Sequence, residues 1–230
     1  MNKINYQKEL DRVIEMHQAK GEVPRLLLHV CCAPCSSYCL EYLSQHFDIT
    51  VYYYNPNISK KEEYEYRLSE EKRYISLKDF KHPVKLTESE YDPQEFFEAV
   101  RGLEQEPEGG LRCKECFKLR LEASAKKAKE QGFDYFTTTL TISPLKNAAL
   151  LNEIGAEMGG KYGVSWLYSD FKKKEGYKRS IELSREYELY RIFKFFQRNK
   201  SFFLAQAVLV FFFYRNIRVV VIDRDVKILR

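Results

Sequence analysis

The sequence predicts an α/β domain, a parallel sheet with helices on both faces. Three observations lead there. From Arg25 to Tyr168, short apolar runs of strand length alternate with segments of helix length, the pattern of repeated strand–helix–strand units. The chain has 230 residues, 44% of them hydrophobic, enough to bury a full core as one large domain or a domain with an appendage. The residues whose chemistry stands out (Cys31 onward, Asn55 to Asn57, Ser143 to Lys146, and Asp170) each follow a strand or open a helix near one. In parallel sheets, ligands bind beyond the carboxyl ends of the strands.

Tyr6 to Gln18 has the spacing of an amphipathic helix, and Arg25 to Val30 is an apolar strand. Pro34 stands where a helix can begin, and Cys39 to Phe47 continues that helix. Ile49 to Tyr54, β-branched and aromatic, is a second strand, broken by Asn55-Pro56-Asn57. The charged run Lys60 to Lys78 is a long helix, Val84 to Leu86 an extended piece, and Asp92 to Val100 a short helix. A Gly/Pro/Glu loop from Gly102 to Gly110 precedes Cys113, and a helix from Cys116 to Gln131 stops at Gly132. Tyr135 to Leu140 reads as a strand, Asn147 to Met158 as a helix and Ser165 to Tyr168 as a last strand.

The formal charge of +5 permits an anionic partner such as RNA without demanding one. The stretch from Asn5 to Gln18 is polar and carries no apolar core or cleavage signature, so no secretion signal is expected. The expected location is therefore the cytoplasm, a reducing compartment in which thiolate ligands persist and disulfide scaffolds are rare.

Five of the six cysteines fall in two short runs, Cys31-Cys32-Ala33-Pro34-Cys35 and Cys113-x-x-Cys116. Crowded thiolates repel one another and oxidise, so the usual reasons to gather them are a metal, an iron–sulfur cluster or redox chemistry. Structural zinc favours two separated C-x-x-C knuckles, and adjacent Cys31 and Cys32 fit that poorly. A cluster with separate corner irons takes adjacent ligands more easily. Both runs lie at helix starts, whose partial positive charge favours anionic sulfur. Cys35 is a fifth thiol, one more than a closed site needs, which points to a second metal or a direct catalytic role. Cys39 reads as a small buried apolar side chain. His29, two residues before the first thiol, is either a proton donor or ligand, or a hydrogen-bonded core histidine.

Asn55 and Asn57 are a turn signal first and a ligand-contacting loop second. The charges of Lys60 to Lys78 are mostly a solvated helix face, with Arg67 and Arg73 as candidates for phosphate contact. Lys146, at a helix start, either meets an anion or is simply exposed. The segment from Asp170 to Arg179 is the most basic in the chain, with aromatics interleaved. It is either a solvated loop or a surface for RNA phosphate and base stacking. There is no Gly-rich phosphate loop, which disfavours a nucleotide-dependent tRNA thiolation or ligase enzyme.

Taken together, several segments resemble the QueH-type epoxyqueuosine reductases over about residues 3 to 191. They are Leu27 to Ser37 around the cysteine run, Tyr53 to Ile58, and Glu106-Pro107-Glu108-Gly109-Gly110 running into Arg112, Cys113 and Cys116. Phe136 to Leu140, Ser143-Pro144 and Tyr168 to Ser180 continue the likeness. The resemblance implies a Rossmann-like (HUP-type) domain that reduces the epoxide of epoxyqueuosine at the tRNA wobble position. It implies that Cys31, Cys32, Cys113 and Cys116 hold a [4Fe–4S] cluster, beside a single iron for which Cys35 occupies the position of a further ligand. Asp170, Tyr54 and His29 are the candidates for proton delivery. Lys146, Lys173, Lys174, Lys178 and Arg179 are the candidates for tRNA contact, and an unidentified electron donor is required.

The domain is expected to end at residue 191. The family follows a segment like Glu188-Leu189-Tyr190-Arg191 with a Cys-Gly-Cys pair thought to be redox-active, whereas residues 192–230 share nothing with it and contain no cysteine. Phe193 to Arg230 holds no Gly or Pro, and Ser201 to Tyr214 is almost wholly apolar but too short to span a bilayer comfortably. Such a switch is what a frameshift or altered gene end produces. The alternatives to an active reductase are thus one inactivated by its tail, or a non-catalytic zinc-stabilised tRNA-binding protein.

Overall fold

The computed structural model describes residues 4–190 and the backbone of residues 219–222 and 225–228. The chain divides into two compact units, Met1–Tyr190 and Arg191–Arg230. In the first, helices α1 (Tyr6–Lys20), α2 (Ala33–Leu43), α3 (Lys61–Leu77), α4 (Gln94–Ala99), α5 (Leu111–Glu130), α6 (Ala148–Tyr162) and α7 (Gly176–Glu186) surround five strands. These are β1 (Arg25–Val30), β2 (Asp48–Tyr53), β3 (Val84–Glu88), β4 (Tyr135–Thr138) and β5 (Ser165–Trp166). In the second unit, Val219–Ile222 and Asp225–Ile228 pair as an antiparallel hairpin. The apolar run Ser201 to Tyr214 lies outside the described residues.

All strand pairs in the first unit are parallel, in the order β3-β2-β1-β4-β5. This is the Rossmann-like arrangement. The chain builds outward from β1 to β3, then returns to lay β4 on the other side of β1, so the crevice between β1 and β4 is the topological switch point. The period-two alternation of β1 sorts its side chains between two layers. Leu26, Leu28 and Val30 face the core shared with α1, α2 and α3, while Leu27 faces the core of α5 and α6. Each of these leucines is fully buried and contributes about 1.5–3 kcal/mol.

Several element ends differ from the sequence-based reading: α5 begins at Leu111, ahead of the expected Cys116, α1 and α6 run on to Lys20 and Tyr162, and three elements stop short. The strand predicted to Leu140 stops at Thr138, because its side-chain oxygen accepts the Leu140 N–H and curls Thr139–Ile142 into a 3₁₀ turn. The helix predicted to Phe47 stops at Leu43, where backbone bonds from His46 and Phe47 close on the Leu43 carbonyl and turn buried Phe47 into the core. The strand predicted to Tyr168 keeps only Ser165–Trp166. Beyond it, the Asn152 amide takes both the N–H and the carbonyl of Ser169, replacing a strand partner. The basic segment after Asp170 is not wholly loop, since α7 begins at Gly176.

Candidate metal centre

β1 ends at Val30, and the next residue is Cys31. Cys32 caps α2 in extended conformation, and its carbonyl receives the N–H groups of Cys35 and Ser36, so the chain turns from strand to helix within the cysteine run. The sulfur atoms of Cys31, Cys32 and Cys35 consequently lie within 4.8 Å of one another, with Cys31 and Cys32 Sγ 3.8 Å apart. Among the described residues, no other cluster of three or more metal-ligating side chains is this tight. Hydrogen bonds from Cys32 and Cys35, aided by the charge of Lys146, hold the Cys31 thiol well below its usual range. The same sharing pushes the Cys32 and Cys35 thiols up. Cys39 is fully buried, bonded to the Cys35 carbonyl, and packs as core.

The second run opens α5. Glu106 Oε2 accepts the Leu111 N–H at 3.1 Å, taking the place of a helix-capping side chain. Gly109 adopts φ +86, a left-handed conformation open to glycine, and its N–H points at Cys113 Sγ at 3.2 Å. A Cβ on Gly110 would lie 2.5 Å from Glu106 Oε2 and 3.1 Å from the Pro107 carbonyl oxygen, so a larger residue there would displace the carboxylate that accepts the Leu111 N–H. Cys116 is buried one turn beyond Cys113, on the same face of α5. Cys31 and Cys113 flank the same core cluster, the one shared by α5 and α6.

His29 is fully buried. Nε2 meets the Tyr54 carbonyl at 3.0 Å and therefore carries the proton, leaving Nδ1 to accept from the Thr138 hydroxyl at 2.8 Å. Burial first, then the charge of Arg120, pushes its pKa down to about 3, so the ring is neutral. Asn55 donates to the Val30 carbonyl at 2.8 Å. These bonds tie the carboxyl ends of β2, β1 and β4 together around the first thiol. Tyr54 donates its hydroxyl to Glu95, and burial raises its pKa. Asp170 is nearly buried and is held by Lys172 Nζ at 2.6 Å.

The basic segment is largely neutralised from within. Lys174 pairs with Asp11, Lys178 with Glu175, and Arg179 with Glu41. Lys173 is exposed and forms no ion pair among the described residues. Arg67 pairs with Glu63, and the thiols of Cys32 and Cys31 add to the pull on its charge.

A family model described as epoxyqueuosine reductase QueH matches residues 26–192, which include both cysteine runs. The chain belongs to this family. It is 48% identical over 195 residues to the epoxyqueuosine reductase QueH of Staphylococcus epidermidis, covering 82% of this chain and 81% of that one. The Streptococcus pyogenes QueH is 47% identical, with 82% and 75% covered. The Thermotoga maritima QueH is 33% identical, with 72% and 84% covered. The relatives carry the name of a reductase, and the family is one of oxidoreductases. No helix among the described residues is long and apolar enough to cross a membrane.

Within the span matched to QueH, two charged side chains escaped the reading of the sequence. Arg120 lies on the buried face of α5 with Cys116, Phe117 and Leu121, and Glu71 lies on that of α3 with Leu68 and Tyr74. A charge at an apolar period of a helix was the available signal.

Proposed function

We propose that this chain reduces epoxyqueuosine to queuosine at the wobble position of tRNA. Cys31, Cys32, Cys113 and Cys116 would hold a [4Fe–4S] cluster, with a neighbouring iron drawing on Cys35. The observation that carries the reading is the set of three sulfurs within 4.8 Å at the switch point of a sheet belonging to a reductase family. The donor set fits the group, because soft thiolates select iron–sulfur clusters and the run begins at a helix start that favours anionic sulfur.

Opening the epoxide to an alkene takes two electrons and two protons and releases the oxygen as water. The cofactor, when bound, supplies electrons one at a time and a Lewis acid for that oxygen. The protein's share is protons and placement. Tyr54 donates its hydroxyl to Glu95, and Asp170 is held in an ion pair with Lys172, which makes these two side chains the candidates for proton delivery. His29, with both nitrogens engaged, fixes the strand ends that carry the thiols. Lys173 offers its charge to the tRNA directly, and half-buried Lys146 carries a charge that also acts on Cys31. Lys174, Lys178 and Arg179 must share theirs with Asp11, Glu175 and Glu41.

Iron, acid-labile sulfide and visible absorption, measured on protein purified without oxygen, test the reading, with Cys113→Ala and Cys39→Ala beside it. Iron and sulfide in cluster ratio, lost in Cys113→Ala and kept in Cys39→Ala, support it. Zinc alone, or no metal after anaerobic reconstitution, removes it and favours a zinc-stabilised tRNA-binding protein. Turnover of epoxyqueuosine-containing tRNA by the loaded protein then decides whether the tail without cysteines still permits catalysis.

A further inference from the structure

We propose that Arg120 is the counter-charge of the thiolate-bound cofactor and so sets how readily that cofactor accepts an electron. The inference rests on the iron–sulfur reading above. Arg120 is 4% exposed, and a guanidinium cannot shed its charge. Arginine is almost never buried this far without an anion. Yet no carboxylate pairs with it among the described residues. Its one hydrogen bond runs from Nε to the Cys116 carbonyl at 3.1 Å, and its guanidinium carbon lies 5.8 Å from the centre of the Phe117 ring.

Its position says which anion is meant. Cys113, Cys116 and Arg120 follow one stripe of α5 at spacings of three and four residues. The same charge acts on His29, two residues before Cys31. Arg120 is therefore carried on the buried face of the helix that holds one pair of thiols, and its charge reaches the strand that leads into the other. Four thiolates around a four-iron cluster carry net negative charge, and a fixed cation beside them stabilises the form with the extra electron. Without the cofactor, the buried charge has no partner and weakens the fold.

That asymmetry gives a test in which a packing role and an electrostatic role move in different directions. Arg120→Met keeps much of the volume and removes the charge, and Arg120→Lys keeps the charge. In the metal-free protein, Arg120→Met should raise the thermal midpoint. In the loaded protein it should speed loss of iron to a chelator and move the reduction potential to more negative values. The expected change is about tenfold in the ratio of reduced to oxidised cofactor, about 59 mV for one electron. Arg120→Lys should return most of that shift. If Arg120→Met shifts the stability of both forms in the same direction, or leaves the potential where it is, Arg120 is a packing residue and the inference falls alone. If the wild-type protein takes up no iron and sulfide, the iron–sulfur reading falls first and takes this inference with it.

Discussion

Replacing Glu71 by glutamine should remove a pH dependence from the stability of the folded domain. The Glu71 carboxyl is fully buried beneath the first turn of α2, with Oε2 2.9 Å from the Ser36 hydroxyl and Oε1 without a hydrogen-bond partner among the described residues. Burial raises its pKa from 4.5 to about 8, against the opposing hydrogen bond from Ser36 and with help from the negative charge of Cys31. The folded pKa therefore lies above the unfolded one. For a carboxyl this means that the folded state holds a proton the unfolded state has released. Stability is full below the unfolded pKa and is lost as pH rises toward the folded pKa. Integrating the proton difference between about pH 6 and about pH 8 gives a loss of about 2 kcal/mol. Urea denaturation at several pH values, for wild type and Glu71→Gln, isolates this contribution, because titrations elsewhere cancel in the difference. Glu71→Gln should gain on the wild type as pH rises through this range. Parallel curves for the two proteins would refute the assignment of a protonated Glu71.

Three further outcomes follow from particular contacts. Gly155→Ala should cost about 1–3 kcal/mol by thermal unfolding, because its Cβ would lie 2.3 Å from the Trp166 ring, which the Asn152 side chain fixes at its indole N–H. Asn152→Leu should cost about 3 kcal/mol or more in urea denaturation at unchanged slope, since it strands the Ser169 N–H and carbonyl and the Trp166 indole together. Lys173→Ala should weaken tRNA binding and lower the salt slope by about one phosphate contact. Lys178→Ala, which removes an ion pair with Glu175 as well as a charge, should change the slope less.

Much of the fold was legible because β1, β2 and β4 are apolar or β-branched runs between helices with clear stops. Leu26 to Val30 fill both layers of the core, and no competing contact redirects them. What failed was decided by side chains reaching back to the backbone. Thr138 capping its own successor and Asn152 capturing Ser169 are pairings that periodicity does not encode. At the site, the first cysteine run was legible as a group, since strand end and helix start force its sulfurs together. The basic segment was read as free charge, and Asp11 and Glu41, far away in sequence, take up Lys174 and Arg179. Arg120 and Glu71 were hidden for the opposite reason, as charges that helical spacing places inside.

The absence of any spacer between β1 and its first thiol has a consequence for how such a chain can vary. One residue inserted or lost within Arg25–Val30 would exchange the two faces of the strand. It would also carry His29 away from Thr138 and Tyr54, and turn Cys31 into the opposite layer. Length changes in this lineage should therefore collect elsewhere, as in the turn of residues 79–83, which holds none of the site residues and where added chain costs little. The strand and its thiol should pass through evolution as one unit of fixed length.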